Sequence, residues 1–106
     1  MARDLTEVVV VDAVRTPFGR AGEKGLFWNT RAEDLVVAVI KSLLERNPEV
    51  TPDLIDDSIW GVTAQVKEQG GTLGRVATML AGMGYEVPGC SIDRMCAGGL
   101  TVSGRS

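Results

Sequence analysis

Two cysteines stand in the stretch Cys90-Ser-Ile-Asp-Arg-Met-Cys-Ala-Gly-Gly-Leu100, and their neighbours allow them different chemistry. Cys96 falls where a short strand, with Ile92 and Met95 as fillers, is expected to run through a tight turn into a helix. Pro88-Gly89 marks the loop before it. Ala97, Gly98 and Gly99 follow, and none carries a side chain larger than a methyl. A glycine inside a helix costs about 1 kcal/mol relative to alanine. Two in one first turn therefore imply close approach of another backbone or of a substrate. Unpaired N–H groups at a helix start favour negative charge, so a thiol there is expected to have a lowered pKa and to serve as a nucleophile. The competing reading makes Cys96 a small buried hydrophobe. Cys90, near the start of the strand, reads as core filler.

A cysteine nucleophile is most often activated by histidine, and the chain contains none. Any such base has to come from outside these residues. A disulfide between the two cysteines is not expected. An extended run from Cys90 to Cys96 separates their α-carbons by roughly 20 Å, against the limit of about 7 Å for a bridge. Both thiols should be free and reduced. Zinc is not expected either, since the spacing is wrong and histidine is absent.

The 106 residues provide for one small domain, with 44% apolar and 24% charged residues as in ordinary soluble proteins. A net charge of −3 and a pI of 4.8 argue against a nucleic-acid or anionic-membrane partner. The longest apolar run, Leu35 to Ile40, is too short to span a bilayer. The charged N-terminus shows no signal segment, and a cytoplasmic location is expected.

The elements that must position Cys96 follow from periodicity. Glu7 to Val14 reads as a first strand, because Val8-Val9-Val10-Val11 is the continuous β-branched run of a central parallel strand. Thr16-Pro17-Phe18-Gly19 is a turn, and Arg15 suits a structural salt bridge at the strand end. Residues 19–29 form a glycine-containing loop with Phe27 and Trp28. Its glycines do not have dinucleotide-binding spacing. Thr30-Arg-Ala-Glu33 has the pattern of a capping box. A largely buried helix follows to about Arg46, with Ala32, Leu35, Val36, Val39, Ile40, Leu43 and Leu44 at helical spacing. Asn47-Pro48 stops it. One or two turns begin at Thr51-Pro52-Asp53. Ser58 to Val62 is a second strand, in which Trp60 anchors a sheet–helix contact. After a polar loop, Thr72 caps a helix with Leu73, Val76, Ala77, Leu80 and Ala81 on one face. Met79 and Met83 serve as filler, and Gly82 and Gly84 end the helix. The third strand leads to Cys96.

Strands alternating with helices imply a parallel sheet whose working residues lie beyond the carboxyl ends of the strands. The same motifs carry a family resemblance. Val9-Val-Val-Asp-Ala-Val-Arg-Thr-Pro-Phe-Gly19 is similar to the opening strand and turn of the thiolases. Arg31-Ala-Glu-Asp-Leu35, Asp57-Ser-Ile-Trp-Gly61, Glu68-Gln-Gly70 and Gly74-Arg75 resemble their following segments. Ser91-Ile-Asp-Arg-Met-Cys-Ala-Gly-Gly-Leu100 resembles the segment with the acyl-accepting cysteine. The likeness is collinear over residues 7–102 and lies nearest the degradative 3-ketoacyl-CoA thiolases. The biosynthetic acetoacetyl-CoA type stays open.

The resemblance implies an α/β fold, the thiolase N-terminal half in three layers, ordered βαβαβα about a mainly parallel sheet. It implies that residues 1–106 are a truncated N-terminal domain ending just after the nucleophile turn. Cys96 would be the catalytic residue of a thiolysis that cleaves 3-ketoacyl-CoA to acetyl-CoA and a shortened acyl-CoA. Coenzyme A thioesters would be substrates, with no cofactor or metal. In the family the activating histidine and a second cysteine lie in C-terminal segments, so the chain alone is expected to be inactive. Pairing through an edge strand near Cys96 would give a homo-oligomer, and the alternative function is a non-catalytic interaction module. A β-ketoacyl synthase relative is disfavoured by the Arg-Thr-Pro and Arg-Met-Cys-Ala-Gly-Gly stretches.

Overall fold

A computed structural model describes residues 5–104. Helix α1 runs Ala32–Arg46, with its apolar residues at three- and four-residue spacing. It stops at Asn47, whose backbone N–H donates to the Leu43 carbonyl at 3.1 Å and whose Nδ2 donates to the same oxygen at 2.9 Å. Pro48 then offers no donor to continue the ladder. The expected capping box does not form. Arg31 is the N-cap, with no side-chain cap bond, and Glu33 pairs with the Arg31 guanidinium instead. The Arg31 guanidinium takes the carboxylate that the box would have turned back to the backbone.

A single 3₁₀ turn at Pro52–Leu54 follows, as the proline at its start favours. Strands β1 (Ser58–Gly61) and β2 (Gly89–Ile92) pair in parallel, with Ser58 opposite Gly89 and Gly61 opposite Ile92. Helix α2, Leu73–Leu80, connects them, and the six-residue helix α3, Gly98–Ser103, follows β2. Helix α2 packs on both strands and on α1, while α3 packs on β1. The core lies between α1, α2 and the sheet. Ile40, Ala77, Met83 and Val87 are buried there, and Val36, Leu44, Ile55, Trp60 and Ala81 close around them. Trp60 anchors the contact as expected, its Nε1 donating to Ser58 Oγ at 2.8 Å.

Two buried faces differ from expectation. Helix α2 buries Leu73, Gly74, Ala77 and Thr78, while Val76, Met79 and Leu80 are exposed. The cause is Gly74, where any methyl would overlap the Cys90 carbonyl. With no side chain there, the helix backbone settles directly on β2 and turns its glycine side inward. Thr78 is fully buried because its hydroxyl donates to the Arg75 carbonyl at 2.8 Å. Arg75 in turn donates to the carbonyls of Val87 at 2.5 Å and Tyr85 at 3.1 Å, clamping the approach to β2. Helix α1 is half-buried rather than largely buried, with Ile40 its one buried residue.

Residues 7–14 do not form the expected strand. Val8, Val9, Val10 and Val11 are 68–91% exposed and lie in a segment with no regular structure and no ladder bonds. A continuous β-branched run is stable as a strand only with a hydrogen-bonded neighbour and cover on both faces, and this segment has neither. It is held at Asp12, which accepts from Asn47 Nδ2 at 2.9 Å and pairs with Arg46 at 3.0 Å. Arg15 makes no ion pair among the described residues and donates to the Thr16 carbonyl. No helix among them is long and apolar enough to cross a membrane.

Candidate active site

Because β1 and β2 are parallel, the segments leaving their carboxyl ends lie at one edge of the sheet. The first is Val62–Thr72, with a 3₁₀ turn at Lys67–Gln69, and the second is Asp93–Ala97. Val62 N–H donates to the Ile92 carbonyl at 2.9 Å, and the Thr63 hydroxyl donates to the Met95 carbonyl at 3.3 Å. The two segments are therefore stitched together next to Cys96.

The strand does not reach Met95. It ends at Ile92, and Met95 opens a 3₁₀ turn over Met95–Ala97 that runs directly into α3. Asp93 causes the break, since its Oδ1 accepts the Met95 backbone N–H at 2.9 Å. This local closure competes with strand pairing. Met95 adopts φ 47, a left-handed conformation that costs a non-glycine residue about 1–3 kcal/mol. An aspartate two residues ahead of the turn is the sequence signal for it. The capping role of Thr72 also changes. Thr72 is the N-cap of α2, but at φ 60 its hydroxyl makes no cap bond.

Cys96 is exposed, as are Ala97 and Gly99 on its helical side. It is not walled in by the fold. The glycine pair serves two purposes. Gly98 is buried against β1, and a methyl on Gly61 would sit 2.8 Å from the Gly98 carbonyl carbon. Gly99 has open space where its side chain would be. The Cys96 thiol is thus on a turn that leaves its C-terminal flank clear for an incoming molecule. Cys90 is half-buried in β2, and both cysteines are free.

Two cavities lie elsewhere in the fold, and Cys96 lines neither. One, of about 380 Å³, lies between α1 and β1 against Ile40, Leu43, Ile59 and Trp60. The other, of about 470 Å³, is bordered by Pro52, Tyr85 and Val87. Electrostatic perturbations lie at the two ends of α1. The Asn47 amide, the Ala13 N–H and Arg46 hold the Asp12 carboxyl below its ordinary range, and the bond from Arg31 lowers Glu33. No group of three or more histidine, cysteine, aspartate or glutamate residues is placed to hold a metal among the described residues.

A parallel α/β unit with a cysteine on the turn after its second strand has the form of a thiolase N-terminal domain. The profile of that domain matches residues 8–102, and the chain belongs to the thiolase family. It is 43% identical over 96 residues to the 3-ketoacyl-CoA thiolase of Idiomarina loihiensis, covering 91% of this chain and 24% of that protein. Against the 3-ketoacyl-CoA thiolase of Colwellia psychrerythraea the identity is 43%, with 91% and 25% covered. Against that of Pseudoalteromonas translucida it is 46% over 92 residues, with 87% and 23% covered. The chain spans about a quarter of the length of these relatives.

Proposed function

We propose that this chain carries the nucleophile of a 3-ketoacyl-CoA thiolase, and that the nucleophile is Cys96. The observation that carries the reading is an exposed thiol on the turn after a parallel strand, inside a segment 43% identical to proteins of that name. The Cys96 thiolate adds to the keto carbonyl of a 3-ketoacyl-CoA. The bond between C2 and C3 breaks, and its electron pair leaves on the acetyl-CoA carbon, which takes a proton. The shortened acyl group stays on Cys96 as a thioester. The thiolate of a second coenzyme A attacks that carbonyl, releases the shortened acyl-CoA and restores Cys96. The sequence has no histidine, so the groups that move the protons come from outside it. The isolated chain therefore shows no thiolysis of acetoacetyl-CoA.

A chimaera tests the assignment. Residues 8–102 replace the matched segment of the Idiomarina loihiensis thiolase, and thiolysis is assayed. Retained turnover that falls at least about a thousandfold in Cys96→Ala, with Cys90→Ser active, is the expected result. Loss on Cys90→Ser with activity kept in Cys96→Ala would place the chemistry on Cys90 and overturn the assignment. Coenzyme A thioesters are the substrates on this reading, in fatty-acid β-oxidation, and a reducing cytoplasm suits two free cysteines.

The second reading, a non-catalytic interaction module, draws on β2, which among the described residues pairs with β1 on one edge only. Its outer edge would accept a second copy near Cys96. Mixed-isotope hydrogen exchange at residues 89–92 separates the two, since protection that grows with concentration marks the edge as an interface.

A further inference from the structure

Unusual backbone geometry in this chain is concentrated at one edge. Among the described residues, the non-glycine positions with positive φ are Lys67 at 52°, Thr72 at 60° and Met95 at 47°. All of them lie on the segments that leave the carboxyl ends of β1 and β2, where Cys96 also stands. A residue with a side chain keeps this conformation only where its surroundings hold it, and such residues cluster at functional sites.

Met95 is held on both sides. Its N–H donates to Asp93 Oδ1 at 2.9 Å. Its carbonyl accepts from the Thr63 hydroxyl at 3.3 Å and from the Gly98 N–H. The peptide groups before and after Met95 are therefore both tied, and the second of them carries the Cys96 α-carbon. The two side chains come from different strands. Asp93 directly follows β2, whereas Thr63 follows β1 through Val62, whose N–H donates to the Ile92 carbonyl at 2.9 Å. Gly61 and Gly98 complete the frame, since without side chains they let the β1 backbone lie against the start of α3. The turn at Cys96 thus takes its position from both strands. A reacting group has to be held within about 0.5 Å of its productive place, and a displacement of about 1 Å costs on the order of a hundredfold in rate.

We infer that Asp93 and Thr63 are positioning residues for the reaction at Cys96: together they hold Met95 in the left-handed turn that sets where the thiol stands. This role rests on the assignment of Cys96 as the nucleophile. Each side chain acts through the Met95 backbone, not on the substrate. With either tie removed, Met95 relaxes toward negative φ, the Met95–Cys96 peptide rotates and the thiol leaves its place.

Two measurements test the role. In the isotopically labelled full chain, the nuclear Overhauser effect between the Met95 N–H and its own Hα reads φ, because these protons are closest at positive φ. It should be strong in the wild type and weaker in Asp93→Ala and Thr63→Val. It should stay strong in Asp93→Asn, whose amide oxygen still accepts the N–H. In the chimaera carrying residues 8–102, Asp93→Ala should lower kcat about tenfold to a hundredfold with KM changed less than about twofold. Thr63→Val should lower kcat about three- to tenfold, and Asp93→Asn and Thr63→Ser should recover most of the rate. If Asp93→Ala does not fold, Thr63→Val decides by the same two readings. An unchanged Met95 signal in Asp93→Ala and Thr63→Val overturns the role whatever the turnover. So does equal loss of kcat in Asp93→Asn and Asp93→Ala, which would make charge rather than the bond the cause. Full kcat in Asp93→Ala and Thr63→Val, in a chimaera that Cys96→Ala inactivates, overturns the role and leaves the nucleophile in place. Activity kept in Cys96→Ala overturns both.

Discussion

At the level of single residues, the two cysteines are separated by accessibility. Cys96 is exposed on its turn and Cys90 is half-buried in β2, so iodoacetamide should modify Cys96 first. Mass spectrometry of peptides from a timed reaction reads the order, and equal rates would contradict this placement. Asp12 is the residue that holds the N-terminal segment to α1. Its folded-state pKa is lowered, first by the Asn47 amide, then by the Ala13 N–H and Arg46. The stabilisation it supplies is thus present above the pKa of unfolded aspartate and is lost as pH falls through the lowered value. The Asn47 side-chain amide resonances should shift over that acidic window, and Asp12→Ala should remove the shift. Asn47 and Arg46 are far from Asp12 in sequence, so that anchorage could not be read from the chain.

At the level of elements, backbone contact decides which faces are buried. Gly61→Ala would bring a methyl to 2.8 Å from the Gly98 carbonyl carbon, and Gly98→Ala would bring one to 3.3 Å from the Gly61 α-carbon. Both should destabilise the fold, Gly61→Ala more, by about 1–3 kcal/mol. Gly99→Ala meets open space in a helix and should stabilise by about 0.5–1 kcal/mol. Urea unfolding of the three variants orders them, and a reversed order would refute the packing at β1. Arg75→Met should cost about 1.5–3 kcal/mol, chiefly through the part-buried bond to the Val87 carbonyl, and the same urea series reads it. The positions of α1, α2 and β1 were legible from apolar spacing and from stop signals such as Asn47-Pro48 and Gly82. The inward face of α2 was not. Helical spacing picks out Val76 and Leu80, but a glycine that admits a strand to the helix backbone outweighs two apolar side chains.

At the level of the whole molecule, the same four valines mark what a local pattern can establish. Val8–Val11 has the composition of a central strand, yet its side chains are largely in water. Its amides should exchange at nearly unprotected rates, while those of Val62 and Ala81, bonded to Ile92 and Ala77, should be slow. Protection at Val8–Val11 equal to that of β1 would show that the segment does pair. The turn at Cys96 shows the opposite relation. Its glycines and thiol were recognisable in order, whereas its distance beyond the strand end depends on the Asp93 bond to Met95.

Family, α/β class and the address of the exposed cysteine were determined by residue order alone, because motif spacing and periodic apolar side chains are properties of the chain. The strand pairing, the rotation of α2, the left-handed Met95 and the anchorage of Asp12 were decided only in three dimensions. Each depends on which distant backbone or carboxylate comes within bonding reach, and no local pattern encodes that distance.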